Sequence, residues 1–587
     1  MLKKLKSLLI IFLFSLILFS ANAQEKLSNL NTSWTAVLPG NALCEPAATS
    51  YGFCVATDAR NLMGYSYEGK LLWEKNIGKI RNVSLFSLPG DFILFYDASN
   101  NLIKLFNPSG SELWSKKITY KLFEKPFVGR DGRFFLYGEN TLECFGMNGI
   151  CRWKLTTPYQ KKLPLQELPD GSIIIFFEDQ SGLTKGLRVS PFGESLENIT
   201  FAGSIKNCWT SGDGILLTFS DGTAGLFSVD LKTGLSANRW VAKTSAPASV
   251  FVVKNDRSAF RLLTLFDSEI VIYNIDSISG DTLSSYKLSN FKGNNLQHLY
   301  YNSQGLFISD CDSAILLDDN FTELWSAKMP DSIKNKTNSY ISYLDEDYLL
   351  FFSKNWSINA YHTVQSTSKT KTQQNTVLKK IHADYSSFVK IDLTEFNYYN
   401  QGSFFNKIKE PQIAEQIKKG EFGPKEEEWL SQTLSIARMY SMSNFSSDFG
   451  VRVENSVFVT DSTGFENILI QLALLGTSQT QNAAADIISK SSNKSYCKAL
   501  MSNLYGYDPD GKLLEALERN TKVAGNKDST YFSAICDAVY SICLFMGRPA
   551  YNKKGKEIIK NFMGVGYTSS VRNYARDTLK KIISLEL

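Results

Sequence analysis

The chain has 587 residues, 43% of them hydrophobic, with 39 Phe and 27 Tyr and a formal charge of only +5. That length calls for more than one domain, and the aromatic content leans toward sheet. A balance this near neutral gives no bulk electrostatic reason to hold nucleic acid or an anionic membrane.

Lys3, Lys4 and Lys6 precede the apolar run SLLIIFLFSLILFS (7–20), and Ala21-Asn22-Ala23 follows it. Basic start, short apolar core and small-residue site together read as a cleavable signal peptide, residues 1–23, with a mature chain from Gln24. A retained anchor helix is the alternative, but a span needs about twenty apolar residues. Cleavage removes three lysines and no acid, so the charge falls to +2. No cysteine follows the run until Cys44, which argues against a lipid-modified terminus. No later segment is long and apolar enough to span a bilayer. The expected location is periplasmic or secreted.

Beyond the signal, one phrase recurs: YEGKLLW ending at Trp73, NPSGSELW at Trp114, MNGICRW at Trp153 and DDNFTELW at Trp325. Each follows an apolar run of about five residues, a polar turn and a second alternating run, as in GDFILFYDASNNLIKLFNPSGSELW (90–114). Such runs between Gly, Asp and Asn clusters are strands joined by hairpins. A further copy ends at Trp240; in two others Glu197 and Tyr286 stand at the tryptophan position. From Trp34 to Trp325 the mean interval is about 42 residues, the period of a four-stranded propeller blade. Trp34, Trp73, Trp114, Trp153, Trp240, Tyr286 and Trp325 are therefore expected in the packing between blades rather than in a ligand site. The hairpin DYLLFFSKNWSINAYHT (347–363) lacks a Trp strand, whereas LNTSWTAVLP (30–39) is a Trp strand without a hairpin. The expectation is that the N-terminal strand completes the eighth blade and closes the ring, which removes exposed sheet edges.

The recurring D-G followed by three apolar residues, then D/N-x-x-G-x-x-L-W, resembles the quinoprotein-type (PQQ-like) repeat of eight-bladed β-propellers over about residues 30–363. That resemblance implies an all-β propeller. It covers quinoprotein alcohol dehydrogenases and the non-enzymatic propeller subunit of the outer-membrane β-barrel assembly machine. The dehydrogenases typically carry an adjacent Cys-Cys pair against the quinone; this chain has none, which points away from the enzymatic branch.

After the propeller (24–363), VQSTSKTKTQQNTVLKK (364–380) reads as a polar linker. Residues 381–463 are a mixed connecting region: 408–420 and 424–442 are helical in pattern and 447–463 extended. From 464 the period turns helical, with Ile468, Leu472 and Leu475 on one face before Gly476. Asp508-Pro509 supplies a start for DGKLLEALERN. Ile535, Val539, Ile542 and Met546 form a stripe ended by Gly547, and Val571, Ala575, Leu579 and Ile582 form another. SSVRNYARDTLKKI resembles the second helix of a HEAT-type repeat, so residues 464–587 are expected to be an all-α, HEAT-like domain. An irregular bundle is the alternative.

Little chemistry is written in the chain. Nine cysteines lack any C-x-x-C spacing. Cys144 and Cys151, flanking the turn GMNG, are the pair best placed for a disulfide, though bridge geometry is strict. His298, His362 and His382 have no neighbouring histidine, so no metal site is expected. H-E-x-x-H, G-x-S-x-G and the phosphate loop are absent, and GVGYTS (564–569) reads as a turn between helices. Asp131, Asp170 and Asp213 precede glycines and are explained by turn formation. No catalytic or cofactor-binding residue is singled out and no cofactor is expected.

Two classes of function remain. One is a non-catalytic envelope scaffold that binds envelope or extracellular proteins through propeller loops and a helical solenoid. The other is a ligand-using propeller, either a quinone-dependent oxidoreductase or a glycan binder. Fractionation should recover a chain starting at Gln24 outside the cytoplasm; unprocessed protein in the inner membrane would refute the signal reading.

Overall fold

The computed structural model describes residues 32–362 apart from short loop segments, the strands Lys379–Lys380 and Val389–Leu393, and residues 478–586 apart from 491–493 and 522–527. The expected signal peptide, Ile468 to Gly476 and nearly all of 364–463 lie outside the described residues.

The N-terminal part contains eight antiparallel sheets among the described residues. Numbered in chain order, sheet 1 spans 47–76, sheet 2 83–117, sheet 3 127–156 and sheet 4 166–201. Sheet 5 spans 205–243, sheet 6 249–288, sheet 7 298–328 and sheet 8 340–362. Each is a meander of consecutive strands, except that sheet 8 has three of its own and takes Thr32–Val37 as its fourth. Thr32–Val37 runs antiparallel to Ser357–His362, with Trp34 opposite Ala360 and Val37 opposite Ser357. The N-terminal strand therefore closes the circle as the sequence pattern implies.

Why the second strands read as unbroken apolar runs follows from the packing. In Phe92–Asp97 (FILFYD), Phe92, Leu94 and Tyr96 face sheet 3 while Ile93 and Phe95 face sheet 1. Strand side chains alternate between faces, so a sheet sandwiched on both sides must be apolar at every position. Eight separate clusters of buried residues fill the eight spaces between consecutive sheets, the last joining sheet 8 to sheet 1. The first strands of successive sheets touch one another around the inside of the circle, as Ala47–Thr49 and Val83–Leu88 do. The fourth strands form the outer rim.

The repeated phrase has a specific job here. Trp34 lies on Gly69, Trp73 on Gly110, Trp114 on Gly149 and Trp153 on Gly193: each tryptophan covers the turn glycine of the next sheet. A Cβ at Gly69 would sit 2.6 Å from the Trp34 ring, and one at Gly193 2.7 Å from the Trp153 ring. All four glycines have φ between +73° and +87°, which L side chains rarely adopt. The indole also donates: Trp34 Nε1 to Tyr67 O at 2.7 Å and Trp114 Nε1 to Met147 O at 2.8 Å, each two residues before the glycine. Trp325, buried, packs with Leu349, Phe351 and Tyr361 of sheet 8, whose outer strand comes from the other end of the sequence. Of Trp240 the backbone register alone is described, opposite Leu226. Tyr286 is half-buried and stacks on Phe321, centroids 5.8 Å apart at 19°. Phe321 occupies the turn-glycine position of DDNFTELW and holds φ +58°. Where the large ring shrinks, its partner grows.

Two expectations need correcting. Neither Cys144 nor Cys151 is in a disulfide. An irregularity in the hairpin pairs Cys144 with Trp153 and Cys151 with Phe145. Cys144 is buried between sheets 3 and 4, whereas Cys151 is exposed and its thiol donates to Trp153 O. The two sulfurs thus belong to opposite sides of the sheet. The stretch assigned to a linker and connecting region also returns to the rim. Lys379–Lys380 pairs with Gly234–Lys243 of sheet 5, and Val389–Leu393 with Ser195–Phe201 of sheet 4, each as a fifth strand.

Among the described residues six α-helices follow: α1 Ser478–Lys490, α2 Lys494–Asn503, α3 Lys512–Asn520, α4 Ser529–Met546, α5 Pro549–Lys560 and α6 Ser569–Ser584. The expected stripes are buried, Ile535, Val539, Ile542 and Met546 on α4 and Val571, Ala575 and Ile582 on α6, with Leu579 half-buried. Gly547 ends α4 in the left-handed conformation, φ +59°, its N–H donating to Cys543 O. Near Asp508-Pro509 the helix starts later than expected, at Lys512. The Asp508 carboxylate still accepts from Leu513 N and Leu514 N, both at 3.0 Å. GVGYTS is indeed an interhelical turn, and Thr568 caps α6 by accepting from Val571 N.

Trp34→Ala should destabilise by about 3 kcal/mol, the lower part of the range for truncating a packed aromatic. For the swapped pair, Tyr286→Trp alone should destabilise, and Phe321→Gly should relieve it. A double-mutant cycle by chemical denaturation should give coupling of about 0.5–3 kcal/mol. Simple additivity would mean the two positions do not share the wedge.

Candidate functional site: the junction of sheets and helices

One of the eight clusters is unlike the others. Between sheets 2 and 3 the buried core continues into the helices without interruption, from Leu88, Phe92 and Phe134 to Tyr507, Phe545 and Met546. Phe92 lies 4.8 Å from the Phe545 ring and 5.9 Å, edge-on, from Tyr507. Tyr505 closes on Phe545 from the other side at 5.0 Å. Apolar surface of both parts is removed from water in a single body, the dominant favourable term in such contacts.

Polar contacts fix the orientation. The corner between α4 and α5, Gly547-Arg548-Pro549, points at two turns of sheet 2. Arg548 Nη2 donates to Gly90 O at 3.0 Å and to the Asp91 carboxylate. Asp91 also accepts from Ser50 N and Ser50 Oγ of sheet 1, both at 2.6 Å. Asn107, first residue of NPSGSELW, donates its amide to Leu544 O at 3.1 Å. Its carbonyl oxygen accepts from Ser109 N and Ser111 N, which holds the turn. A side chain at Gly547 would collide with Asn107, so the corner needs glycine for its approach as well as its conformation. Gly90–Asp91 and Asn107–Ser111 are alternate turns of one meander, so both lie at the same end of the sheets.

Beside this junction, at the same end and toward the axis, is a cleft of about 540 Å³ between the first strands of sheets 1, 2 and 3. Pro46, Ala48, Phe86, Pro89, Val128 and Arg130 line it. Ser87 Oγ donates to Ala48 O and ties sheet 2 to sheet 1 within it. Arg130 is anchored by its backbone N–H to Glu167 at 2.7 Å, by Nε to the same carboxylate at 3.4 Å, and by Nη2 to Leu168 O. Buried Arg133 donates to that carboxylate too, at 3.3 Å.

The helical side carries one strongly perturbed acid. Burial raises the Asp508 carboxyl from 3.8 to about 6, against the lowering effect of the N–H groups of Leu513 and Leu514; Asp510 and Glu515 raise it further. Buried thiols are pushed up likewise, Cys536 and Cys543 to about 12 by desolvation. Such thiols are poor nucleophiles.

None of the aromatic positions singled out in the sequence meets in a pocket; those with described side chains, Trp34 to Trp325, serve the spaces between sheets. His298 and His362 lie on strands of sheets 7 and 8, and His382 is outside the described residues. Among the described residues no group of three or more His, Cys, Asp or Glu comes together as a metal site would require. Against the expectation that no later segment is long and apolar enough to span a bilayer, one described helix, α4, meets both criteria, and much of it is buried in the shared core. Sequence reasoning missed the junction because Phe92, Asp91, Asn107 and Arg548 each fit a local role. The one available signal was the Gly-Arg-Pro corner.

No protein-family model matches the sequence, and no curated protein matches it. Some solved structures are similar to part of this chain. BamB from Moraxella catarrhalis is 12% identical with a TM-score of 0.41, over 57% of this chain and 99% of that one. Sqt1 from Saccharomyces cerevisiae is 8% identical with a TM-score of 0.42, over 57% and 100%. The WD40 domain of SCAP from fission yeast is 11% identical with a TM-score of 0.40, over 56% and 98%.

The Asp508 shift sets a pH dependence. Because the folded value lies above the unfolded one, the protonated group favours folding below about pH 4. That contribution is lost as pH rises through about 6, on the order of 3 kcal/mol in all. Asp508→Asn should therefore flatten the loss of stability between pH 5 and 7.5 in urea titrations. An unchanged slope would place the titration elsewhere.

Proposed function

We propose that the chain is a non-catalytic protein-binding scaffold of the cell envelope, an eight-bladed PQQ-like propeller carrying a HEAT-like helical domain. The observation that carries this reading is the shared core at sheets 2 and 3. It joins a ring of sheets and a set of helices into one platform, and a rigid platform presents loops and helix faces at low entropic cost to a partner. Envelope placement is supported by the Lys-rich start, the apolar run and Ala21-Asn22-Ala23. Rim, turns and helices offer many side chains for recognition, as propellers and helical repeats use them.

Crosslinking in the native envelope with the full chain should capture a reproducible set of envelope proteins. Breaking the junction with Phe92→Asp and Arg548→Glu together should shrink that set, because the two binding parts lose their mutual geometry. The ligand-using reading makes a different forecast. Stoichiometric quinone binding with turnover of alcohols or sugars would replace the scaffold with an oxidoreductase. Saturable glycan binding without protein capture would replace it with a lectin-like propeller.

A further inference from the structure

Deepening the scaffold reading and resting on it for the partner being a protein, we infer that the cleft between sheets 1, 2 and 3 is a docking site for an extended acidic peptide segment. Arg130 holds a carboxylate of that segment, and an apolar side chain next to it sits between Pro46, Phe86 and Val128.

Three observations carry this. Among the described residues, Arg130 is the one charged side chain lining the cleft. Its side chain is 57% exposed yet its guanidinium is oriented by Glu167 and Leu168 O through Nε and Nη2, which leaves Nη1 for an incoming acceptor. The Glu167 carboxylate that faces it is shared with the guanidinium of Arg133, so Arg130 does not have a counter-charge to itself. An arginine fixed on one edge and open on another is suited to a carboxylate, because the rotamer entropy of the pair is already spent.

The rest of the lining is apolar or backbone. Pro46, Ala48, Phe86, Pro89 and Val128 present hydrocarbon around the first strands of three sheets. The first strands of sheets 3 and 4, Phe127–Val128 and Gln166–Glu167, are two residues long. A site with strand edges, one apolar seat and one cation matches an extended segment with alternating apolar and acidic residues. The site also continues into the junction. Pro89 lines the cleft, and the next two residues, Gly90 and Asp91, are the ones that Arg548 grips. A segment entering the cleft therefore runs up to the helices and meets both parts of the platform.

The test uses the full mature chain and a fluorescein-labelled peptide of sequence SELELES, followed by fluorescence anisotropy. Controls are the same peptide with glutamine or with lysine for each glutamate, and sodium acetate as competitor. The acidic peptide should bind, the glutamine peptide about tenfold more weakly as expected for losing a charge-assisted contact, and the lysine peptide not at all. Arg130→Gln should weaken binding about tenfold, and Ala48→Glu, which places bulk and negative charge in the cleft, should abolish it. Arg130→Gln should melt as the parent does, since Arg130 is exposed and its backbone N–H still reaches Glu167. Ala48, by contrast, packs against the core between sheets 8 and 1, so Ala48→Glu counts only where its melting matches the parent's. Equal binding of the lysine peptide, no binding of any peptide, or unchanged affinity in both variants would overturn the inference. So would full displacement by acetate, which would make the site an anion site alone. If Arg130→Gln and Ala48→Glu leave the crosslinked partner set of the whole chain intact, the cleft is wrong while the scaffold stands. If the peptide binds as expected but the whole chain captures no protein, the scaffold reading fails instead.

Discussion

The structure depends on how adjacent sheets meet: an indole from one sheet lies flat on a turn glycine of the next. Twisted sheets packed around an axis diverge outward, so the gap between them widens toward the rim. A tryptophan on the outermost strand fills that gap, and a glycine opposite is what leaves room for it. The left-handed turn that glycine adopts also aims a backbone carbonyl at the indole N–H, as at Tyr67 and Met147. At Trp34 and Trp114, packing, turn conformation and hydrogen bond are satisfied together; at Trp73 the packing on Gly110 is kept without the indole hydrogen bond. The Tyr286–Phe321 exchange shows that the constraint is on the volume of the pair.

From this contact the closure follows. A pair spanning two sheets leaves an unfilled half at each end of a linear array, and joining the ends removes both. Trp34 fills the space above sheet 1 while its own strand completes sheet 8, which makes the first described strand a structural bolt for the last. Closure hides the edges between sheets but not the outer rim. There the chain protects two of its own edges, on sheets 4 and 5, with the strands that follow the ring.

Against that regular background the space between sheets 2 and 3 is the exception. Phe92 lies at the end of its strand next to a turn, where it can reach past the sheet to Phe545 and Tyr507. Asp91 adds a carboxylate that both Ser50 and Arg548 use, and Asn107 turns a repeated hairpin into a docking point. The helices thus sit at one end of the ring, beside an axial cleft lined by Arg130. A repeating structure acquires a unique sector, and a function can be tied to that sector.

The sequence by itself determined much of the local structure. Apolar runs between turn residues marked the second and third strands, the tryptophans marked the fourth, and the spacing set the period, because each of these is a short-range pattern. Helix stripes on α4 and α6, and the glycine that ends α4, were legible for the same reason. The first strands were not: Phe127–Val128 and Gln166–Glu167 are two residues long and show no periodicity. Cys144 and Cys151 misled because a one-residue irregularity moves a side chain to the opposite side of a sheet. Only the tertiary structure decided that residues 379–393 return to the rim, that the helices share a core with sheets 2 and 3, and that Arg130 and Phe86 border one cleft. Those contacts join residues up to more than 450 positions apart, as Arg548 and Asp91 do. Nothing in the neighbourhood of either residue in the chain encodes the other; only chain closure and the burial of apolar surface bring them together.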